Sequence, residues 1–222
     1  MVSDQLRHIL AQYRWLFSDL AFVRAVMVAG VLLFVGSTLN VIANVYATHS
    51  ASNSVTDIVL SNTRAYNVDN FFVYGTFVLT LFTLLVVLLR PNYFPFVGAS
   101  LGLFYCIRTC FVSLTHIGPF PDRAVLDLGS FMQKVLGGGD MFFSGHTGAP
   151  FLLALIFWSV PALRYIFLAW SGFFAVVVLL GHLHYTIDVA AAFFITFTIF
   201  HIAEFLFPAY RSIFYTVPRD LV

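Results

Sequence analysis

Residues 71–89 form a run of nineteen residues without one charged side chain, and several other stretches of this chain are nearly as apolar. About 20 consecutive apolar residues are enough to cross the hydrocarbon core of a bilayer as an α-helix. Over the whole chain, 60% of the residues are hydrophobic and 9% are charged, whereas a soluble domain usually carries about 25% charged residues. The sequence therefore predicts an all-α, polytopic integral membrane protein.

Six apolar stretches predict a single domain built as a bundle of six transmembrane helices. The expected spans are residues 21–46, 71–89, 94–114, 144–160, 162–180 and 187–207. Residues 1–20 carry apolar side chains at helical spacing, which favours an amphipathic segment at the membrane interface, although an ordinary solvated tail fits almost as well. The predicted membrane domain thus covers residues 21–207, and residues 208–222 are predicted to form a cytoplasmic tail.

Positive charge orients the predicted bundle, because short loops rich in arginine and lysine stay in the cytoplasm. With both termini in the cytoplasm, seven arginines lie at cytoplasmic ends: Arg7, Arg14, Arg24, Arg90, Arg164, Arg211 and Arg219. The opposite side then holds three basic residues, Arg64, Arg123 and Lys134. Loops 48–70, 115–143 and 181–186 are predicted to lie on that non-cytoplasmic side, and the polar residues suited to chemistry gather there.

The first polar cluster precedes the fourth span and reads Gly-Asp-Met-Phe-Phe-Ser-Gly-His-Thr over residues 139–147. It places Asp140, Ser144 and His146 at the start of a helix. Backbone N–H groups at a helix start are unsatisfied and attract anions, and glycine allows the backbone to approach a ligand closely. A histidine at this position can donate a proton to a leaving oxygen.

The second polar cluster reads His-Leu-His-Tyr-Thr-Ile-Asp over residues 182–188, where the sixth span begins. His184 and Asp188 are four residues apart, so they share one face of a helix. A carboxylate bonded to one imidazole nitrogen fixes the tautomer and leaves the other nitrogen free to attack. The predicted topology brings both clusters to one membrane side, where His146, His184 and Asp188 make a candidate nucleophile and acid pair.

Arg108 is a charged residue inside the third span. A charge at membrane depth is costly, so Arg108 is expected to face the bundle interior or a wet cavity. Its guanidinium suits bidentate binding of a phosphate group. The structural alternative is a salt bridge with Asp69 or Asp122.

Other functional classes are weighed by charge and ligand type. A net charge of +1, with Lys134 as the only lysine, gives no basic field for nucleic acid. Cys106 and Cys110 lie in an apolar stretch and are predicted to act as small hydrophobic residues. One alternative is a zinc or iron site made by His146, His182, His184 and Asp188. Another is a transporter or a non-catalytic lipid-binding scaffold, although six spans without broken paired helices argue against transport.

The two clusters together resemble the phosphatidic acid phosphatase type 2 superfamily, and within it the sphingomyelin synthase-like branch. The patterns of that branch read roughly C-G-D-x-x-F-S-G-H-T and H-Y-T-x-D-V. This chain has a glycine in place of the cysteine but keeps Gly-Asp and Phe-Ser-Gly-His-Thr, and it matches the second pattern throughout. A bundle of six helices with both termini in the cytoplasm agrees with the family.

The resemblance implies a two-step mechanism that needs no metal and no cofactor. His184 would attack the phosphorus of a lipid phosphate ester while Asp188 holds it, and His146 would protonate the departing lipid oxygen and then act as a base on the acceptor. The acceptor would be a lipid hydroxyl such as that of ceramide in a transferase, or water in a lipid phosphate phosphatase. The residues implied in substrate binding are Arg108, Arg123, Asp140, Ser144, Gly145, Thr147 and Tyr185.

Two departures from the broader family bear on the reaction. The K-x6-R-P motif has Thr83 in place of its lysine, and Val177 and Val178 stand where a Ser-Arg pair is expected. Fewer cations then meet the phosphate. The synthase-like branch shares this loss, so the resemblance favours transfer of a phosphodiester headgroup over hydrolysis of a monoester. The expected partners are a phospholipid donor, a lipid or water acceptor and the membrane. The oligomeric state stays open, a homo-oligomer included.

Overall fold

The computed structural model describes residues 2–124 and 141–216, with side chains from Arg7 onward. These residues form eight α-helices and two short 3₁₀ turns, Leu60–Asn62 and Pro91–Tyr93. The helices are α1 (Val2–Phe17), α2 (Leu20–Ser50), α3 (Asp69–Leu89), α4 (Phe94–Leu114), α5 (Gly145–Ile156), α6 (Pro161–Leu180), α7 (Thr186–Leu206) and α8 (Pro208–Tyr215). The all-α class is thus confirmed for the part of the chain that is described.

Within those residues, five helices are long and apolar enough to cross a membrane: α2, α3, α4 with the turn before it, α6 and α7. They confirm the multi-pass membrane character that the composition predicts. The predicted bounds agree with the helices to within a few residues. The third span coincides with α4, whereas α2 continues to Ser50, four residues beyond the predicted end.

The fourth predicted span, residues 144–160, is helical only from Gly145 to Ile156. Its twelve residues give a helix of about 18 Å, which is shorter than the roughly 30 Å of the hydrocarbon core. Helix length therefore supports five spans, and the count of six stays a prediction. The helix ends early because the chain turns through residues 157–160 into Pro161, and those turn residues are too apolar for the turn to show in the sequence.

α5 occupies the centre of the bundle. Its residues Leu152–Ile156 are buried, and the helix packs against α4, α6 and α7. Gly148 permits the close packing, since a Cβ atom there would lie 2.8 Å from the hydroxyl of Thr196 and 2.9 Å from the ring of Phe104. α5 is thus a core helix whose first turn is held firmly between its neighbours.

Glycines also bring α2 against α4. A Cβ atom on Gly36 would lie 2.5 Å from the carbonyl oxygen of Gly102, and one on Gly102 would lie 2.6 Å from the carbonyl carbon of Leu32. Small residues allow such close helix contacts in membrane proteins, where van der Waals packing replaces the hydrophobic driving force. The contact fixes the height of α2 relative to α4.

The two terminal helices lie at the same end of the bundle, beside the Pro91–Tyr93 turn. In α1, the Tyr13 hydroxyl donates to the carbonyl of Leu88 at 2.9 Å. The Asn92 amide in the turn donates to the carbonyl of Phe214 in α8 at 2.8 Å. The predicted tail, residues 208–222, therefore begins with a short docked helix, because its buried Phe214 packs into the bundle.

Candidate active site

A cavity of about 220 Å³ lies where α5 and α7 begin, at the end of the bundle away from the terminal helices. Five residues selected from the sequence line it: Arg108, Arg123, Gly145, His146 and His184. Further polar residues in its walls are Asn40, Asn44, Thr76, Thr80 and Tyr105, and apolar ones are Val41, Phe72, Leu79, Ala149, Pro150, Phe174 and Leu183. The cavity is therefore part polar and part apolar, as a site for an amphipathic ligand requires.

The start of α7 holds the histidine and carboxylate pair that the i, i+4 spacing predicts. His184 Nδ1 lies 3.2 Å from Asp188 Oδ2, and both side chains are buried. The same carboxylate oxygen accepts the backbone N–H of Tyr185 at 3.0 Å, which caps the helix. Because a carboxylate only accepts hydrogen bonds, this bond requires the proton on Nδ1, which in the neutral imidazole leaves the lone pair on Nε2. This arrangement suits Nε2 of His184 to act as a nucleophile.

The start of α5 is tied to the start of α7. Ser144 caps α5 by accepting the backbone N–H of Thr147, and its own N–H donates to the carbonyl of Asp188 at 3.1 Å. His146 follows in the first turn, and its ring packs on Phe72 at 4.3 Å between centroids. His146 and His184 of the two predicted clusters are 38 residues apart in the sequence, and the structure joins them at one cavity.

Arg108 is buried beside the first turn of α5, with 3% of its surface exposed. Its Nε donates to the carbonyl of Phe143 at 3.2 Å, and its Nη1 donates to the amide oxygens of Asn40 at 2.8 Å and Asn44 at 3.4 Å. Gly145 makes room for the side chain, since a Cβ atom there would lie 3.0 Å from Nε. These three contacts are to neutral oxygens.

Asp57 is a residue of the site region that the sequence analysis did not select. Its Oδ2 accepts the N–H of Thr186 at 2.7 Å, and its Oδ1 accepts the Thr186 hydroxyl at 2.8 Å. Oδ1 also accepts the N–H groups of Val59 and Leu60. Burial by itself raises the pKa of Asp57, but these hydrogen bonds outweigh it and hold the pKa below its usual value. Asp57 thus fastens the loop after α2 to the first residue of α7.

Three residues predicted to bind substrate are not among the described residues that line the cavity: Ser144, Thr147 and Tyr185. Their side chains make structural contacts. Ser144 and Thr147 are fully buried in the cap of α5. Tyr185 is 1% exposed, its hydroxyl donates to the carbonyl of Gly118 at 2.8 Å and accepts the N–H of Val55 at 3.2 Å, and burial raises its pKa. Direct substrate contact by these side chains stays a prediction. Asp140 lies outside the described residues.

The metal alternative required His146, His182, His184 and Asp188 to converge. Among the described residues, no group of three or more His, Cys, Asp or Glu side chains is placed to hold a metal ion. His182 has a left-handed backbone with φ of 52°, and its Nε2 lies 3.2 Å from the hydroxyl of Thr63. It packs against the outer loops and is not part of the described cavity lining.

Comparison with known proteins gives one family match. Residues 137–205, about a third of the chain, match the family model described as PAP2 superfamily C-terminal. No curated protein and no solved structure matches the chain. The matched segment contains both histidine clusters, and the match supports the resemblance to the PAP2 superfamily.

Proposed function

We propose that this protein is an integral-membrane lipid phosphotransferase, similar to the sphingomyelin synthases, which moves a phospho-headgroup from a phospholipid to a lipid hydroxyl. The family match and the apolar helices indicate a membrane phosphatase or phosphotransferase. The observation that carries the finer proposal is the cavity shared by His184, His146 and Arg108, with Asp188 oriented on His184. That set supplies a nucleophile, an acid and a cation.

In the first step, Nε2 of His184 attacks the phosphorus of the donor lipid. A nitrogen–phosphorus bond forms, and the phosphorus–oxygen bond to the diacylglycerol part breaks. His146 gives its proton to the departing oxygen, which leaves as a neutral hydroxyl. The headgroup stays on phosphorus as a phosphohistidine, and the negative charge of Asp188 stabilises the positive charge that develops on His184.

In the second step, the acceptor hydroxyl attacks the same phosphorus. His146, now without its proton, removes the proton of that hydroxyl, so one residue serves as acid and then as base. The new phosphorus–oxygen bond forms while the nitrogen–phosphorus bond breaks, and His184 returns to its starting state. His146 takes from the acceptor one proton, which replaces the one that it gave to diacylglycerol in the first step.

The cavity supports a lipid substrate whose tails remain in the bilayer. Pockets that enclose a drug-sized ligand measure roughly 300–1,000 Å³, and the cavity of about 220 Å³ is smaller than that. It has room for a phosphate with part of a headgroup. The apolar part of its lining, including Phe72 and Leu79 on α3, is suited to the first carbons of the tails.

We further propose that the site faces the non-cytoplasmic side. The sequence assigns most arginines to the end that carries the termini, and α1 and α8 lie together at that end. The cavity lies at the other end. Under the positive-inside rule, the chemistry would then take place on the lumenal or extracellular leaflet.

Hydrolysis is the second candidate, because the matched family model is named for phosphatidic acid phosphatases. Water would then take the place of the lipid hydroxyl in the second step, with His146 again as the base. The first step would be unchanged. The two activities therefore differ only in the acceptor that reaches the phosphohistidine.

The test uses detergent-purified protein and phospholipids labelled in the headgroup, with and without added ceramide or diacylglycerol, in EDTA. Wild type is compared with His184→Ala and with His201→Ala. His201 is the matched control, because it lies on α7 at the other end of the bundle with a side chain 54% exposed. We expect label on the added lipid with wild type and with His201→Ala, and none with His184→Ala.

The other outcomes separate the alternatives. Label released to water would establish the hydrolase. Turnover that is lost in EDTA and restored by added metal would support the metal-site alternative. Equal turnover by wild type and His184→Ala would refute the phosphohistidine mechanism. Binding of labelled lipid without any turnover would identify a lipid-binding scaffold.

A further inference from the structure

Two asparagines on α2 face the cavity from the membrane interior. Asn40 and Asn44 are one helical turn apart, and both line the cavity with Arg108. Uncompensated polar groups in the hydrocarbon region are costly, and Asn44 is buried, with 7% of its surface exposed. Their common neighbour is Arg108, whose Nη1 lies 2.8 Å from Oδ1 of Asn40 and 3.4 Å from Oδ1 of Asn44.

The chemistry of arginine fixes which amide atom faces which way. Arg108 can only donate hydrogen bonds, so each asparagine turns its oxygen to the guanidinium and its NH₂ group away from it. Neither NH₂ group of Asn40 or Asn44 has a hydrogen-bond partner among the described residues. Because both side chains line the cavity, these NH₂ groups are donors available to a ligand there.

Asparagine at these positions also differs from aspartate in its effect on Arg108. A carboxylate at either position would form an ion pair with Arg108 and cancel its attraction for an anion. An amide oxygen orients the guanidinium without cancelling its charge. The close contact of Gly36 with Gly102, one turn before Asn40, sets the height at which α2 presents the two amides.

We propose that Asn40 and Asn44, together with Arg108, form a clamp for the phosphate of the substrate, an inference that rests on the proposed lipid phosphotransfer. The amide oxygens orient the guanidinium, and the amide NH₂ groups donate to the phosphate oxygens that do not react. The clamp offers donors in a chain that lacks the lysine and the Ser-Arg pair of the broader family motifs, with Thr83, Val177 and Val178 at those positions. The two amides add hydrogen-bond donors to the site without adding charge.

The variants are Asn40→Ala, Asn40→Asp and Asn44→Asp. Asn53→Asp is the matched control. Asn53 is exposed on the loop that follows α2, so this substitution adds the same charge at the same end of the bundle. Each aspartate variant removes an NH₂ donor to the charged phosphate and places a carboxylate beside Arg108. The KM for the phospholipid should therefore rise roughly ten- to hundredfold in Asn40→Asp and Asn44→Asp. The kcat should stay within about threefold, because the reacting histidines are untouched.

A second readout does not depend on turnover. Wild-type protein in detergent should show a rise in its thermal unfolding temperature on addition of inorganic phosphate. Asn40→Asp and Asn44→Asp should lose that rise and still unfold near the wild-type temperature without phosphate. Asn53→Asp should keep it, and Asn40→Ala should show an intermediate shift.

The two readouts distinguish failure of the clamp from failure of the proposed function. Normal turnover with an unchanged KM and phosphate shift in Asn40→Asp and Asn44→Asp would overturn the clamp and leave the function intact. A phosphate shift lost in the aspartate variants, with no turnover of any lipid by wild type, would support the anion clamp and overturn the phosphotransferase. No phosphate shift in wild type, or a fall in kcat without a change in KM, would overturn the clamp.

Discussion

Replacing Asp57 by asparagine should loosen the start of α7, the helix that carries His184 and Asp188. In wild type, Oδ2 of Asp57 accepts the N–H of Thr186 at 2.7 Å, while Oδ1 accepts three other hydrogen bonds. Asparagine retains one oxygen for those three bonds. Its NH₂ group would then face the N–H of Thr186, a contact between two donors.

The size of the effect follows from the bond that is lost. A hydrogen bond to a charged acceptor contributes about 1.5–3 kcal/mol, and a negative charge at a helix start contributes about 0.3–1 kcal/mol. Asp57 is largely buried, with 9% exposed, so water replaces little of this. We expect a loss of about 2–4 kcal/mol in the free energy of unfolding, or a fall of roughly 5–15 °C in the unfolding temperature.

The assay is thermal unfolding in detergent, followed by turnover of the headgroup-labelled lipid. Asp122→Asn is the control, because Asp122 is exposed on the loop after α4 at the same end of the bundle. Turnover by Asp57→Asn should fall together with stability, since Thr186 is two residues from His184. Wild-type stability and turnover in Asp57→Asn would refute the view that this carboxylate holds the start of α7.

Three more predictions concern the same packing. The lowered pKa of Asp57 stabilises the folded protein. This stabilisation is fully present above the unfolded pKa of about 3.9 and is lost as the pH falls through the folded pKa. Asp57→Asn should therefore lose less stability between neutral and acidic pH than wild type does, as measured by unfolding at a series of pH values. Gly102→Val should prevent α2 from packing on α4 and abolish the folded protein in size-exclusion analysis, whereas Gly172→Ala, with no atom within 4 Å of the new Cβ, should fold normally. Tyr185→Phe leaves the carbonyl of Gly118 without its 2.8 Å donor and should lower stability by about 1–3 kcal/mol in denaturant unfolding.

Each of these has a contrary result. If Asp57→Asn loses as much stability at acidic pH as wild type does, other carboxylates are responsible for that loss. A folded Gly102→Val protein would show that α2 and α4 can separate without loss of the bundle. Tyr74→Phe is the control for Tyr185→Phe, because Tyr74 is 65% exposed, and equal stability of the two variants would remove the structural role of the Tyr185 hydroxyl.

Local rules were enough to predict the contact between His184 and Asp188 in the candidate site. A spacing of four residues places His184 and Asp188 on one helix face, and the hydrogen bond of 3.2 Å between them follows from that geometry. Apolar stretches of about twenty residues likewise predicted α3, α4, α6 and α7 to within two residues at each end. Both inferences depend on the regular rise of a helix and need no knowledge of its neighbours.

Hydropathy could not show where α5 stops. Residues 157–160 are Phe-Trp-Ser-Val, so an apolar window continues smoothly through a turn that ends the helix at Ile156. Burial of α5 at the centre of the bundle and crossing of a bilayer require the same apolar composition. Only the tertiary structure shows that α5 packs closely on its neighbours at Gly148.

The sequence by itself determined the membrane class, the positions of most helices and the pairing of His184 with Asp188, because these depend on residues within one or two helical turns of each other. The tertiary structure decided that His146 shares a cavity with His184, that Asn40 and Asn44 meet Arg108 more than sixty residues away, and that Asp57 caps a helix 129 residues later. Such contacts depend on how whole helices and loops pack. Helical periodicity carries no information about which helix lies next to which.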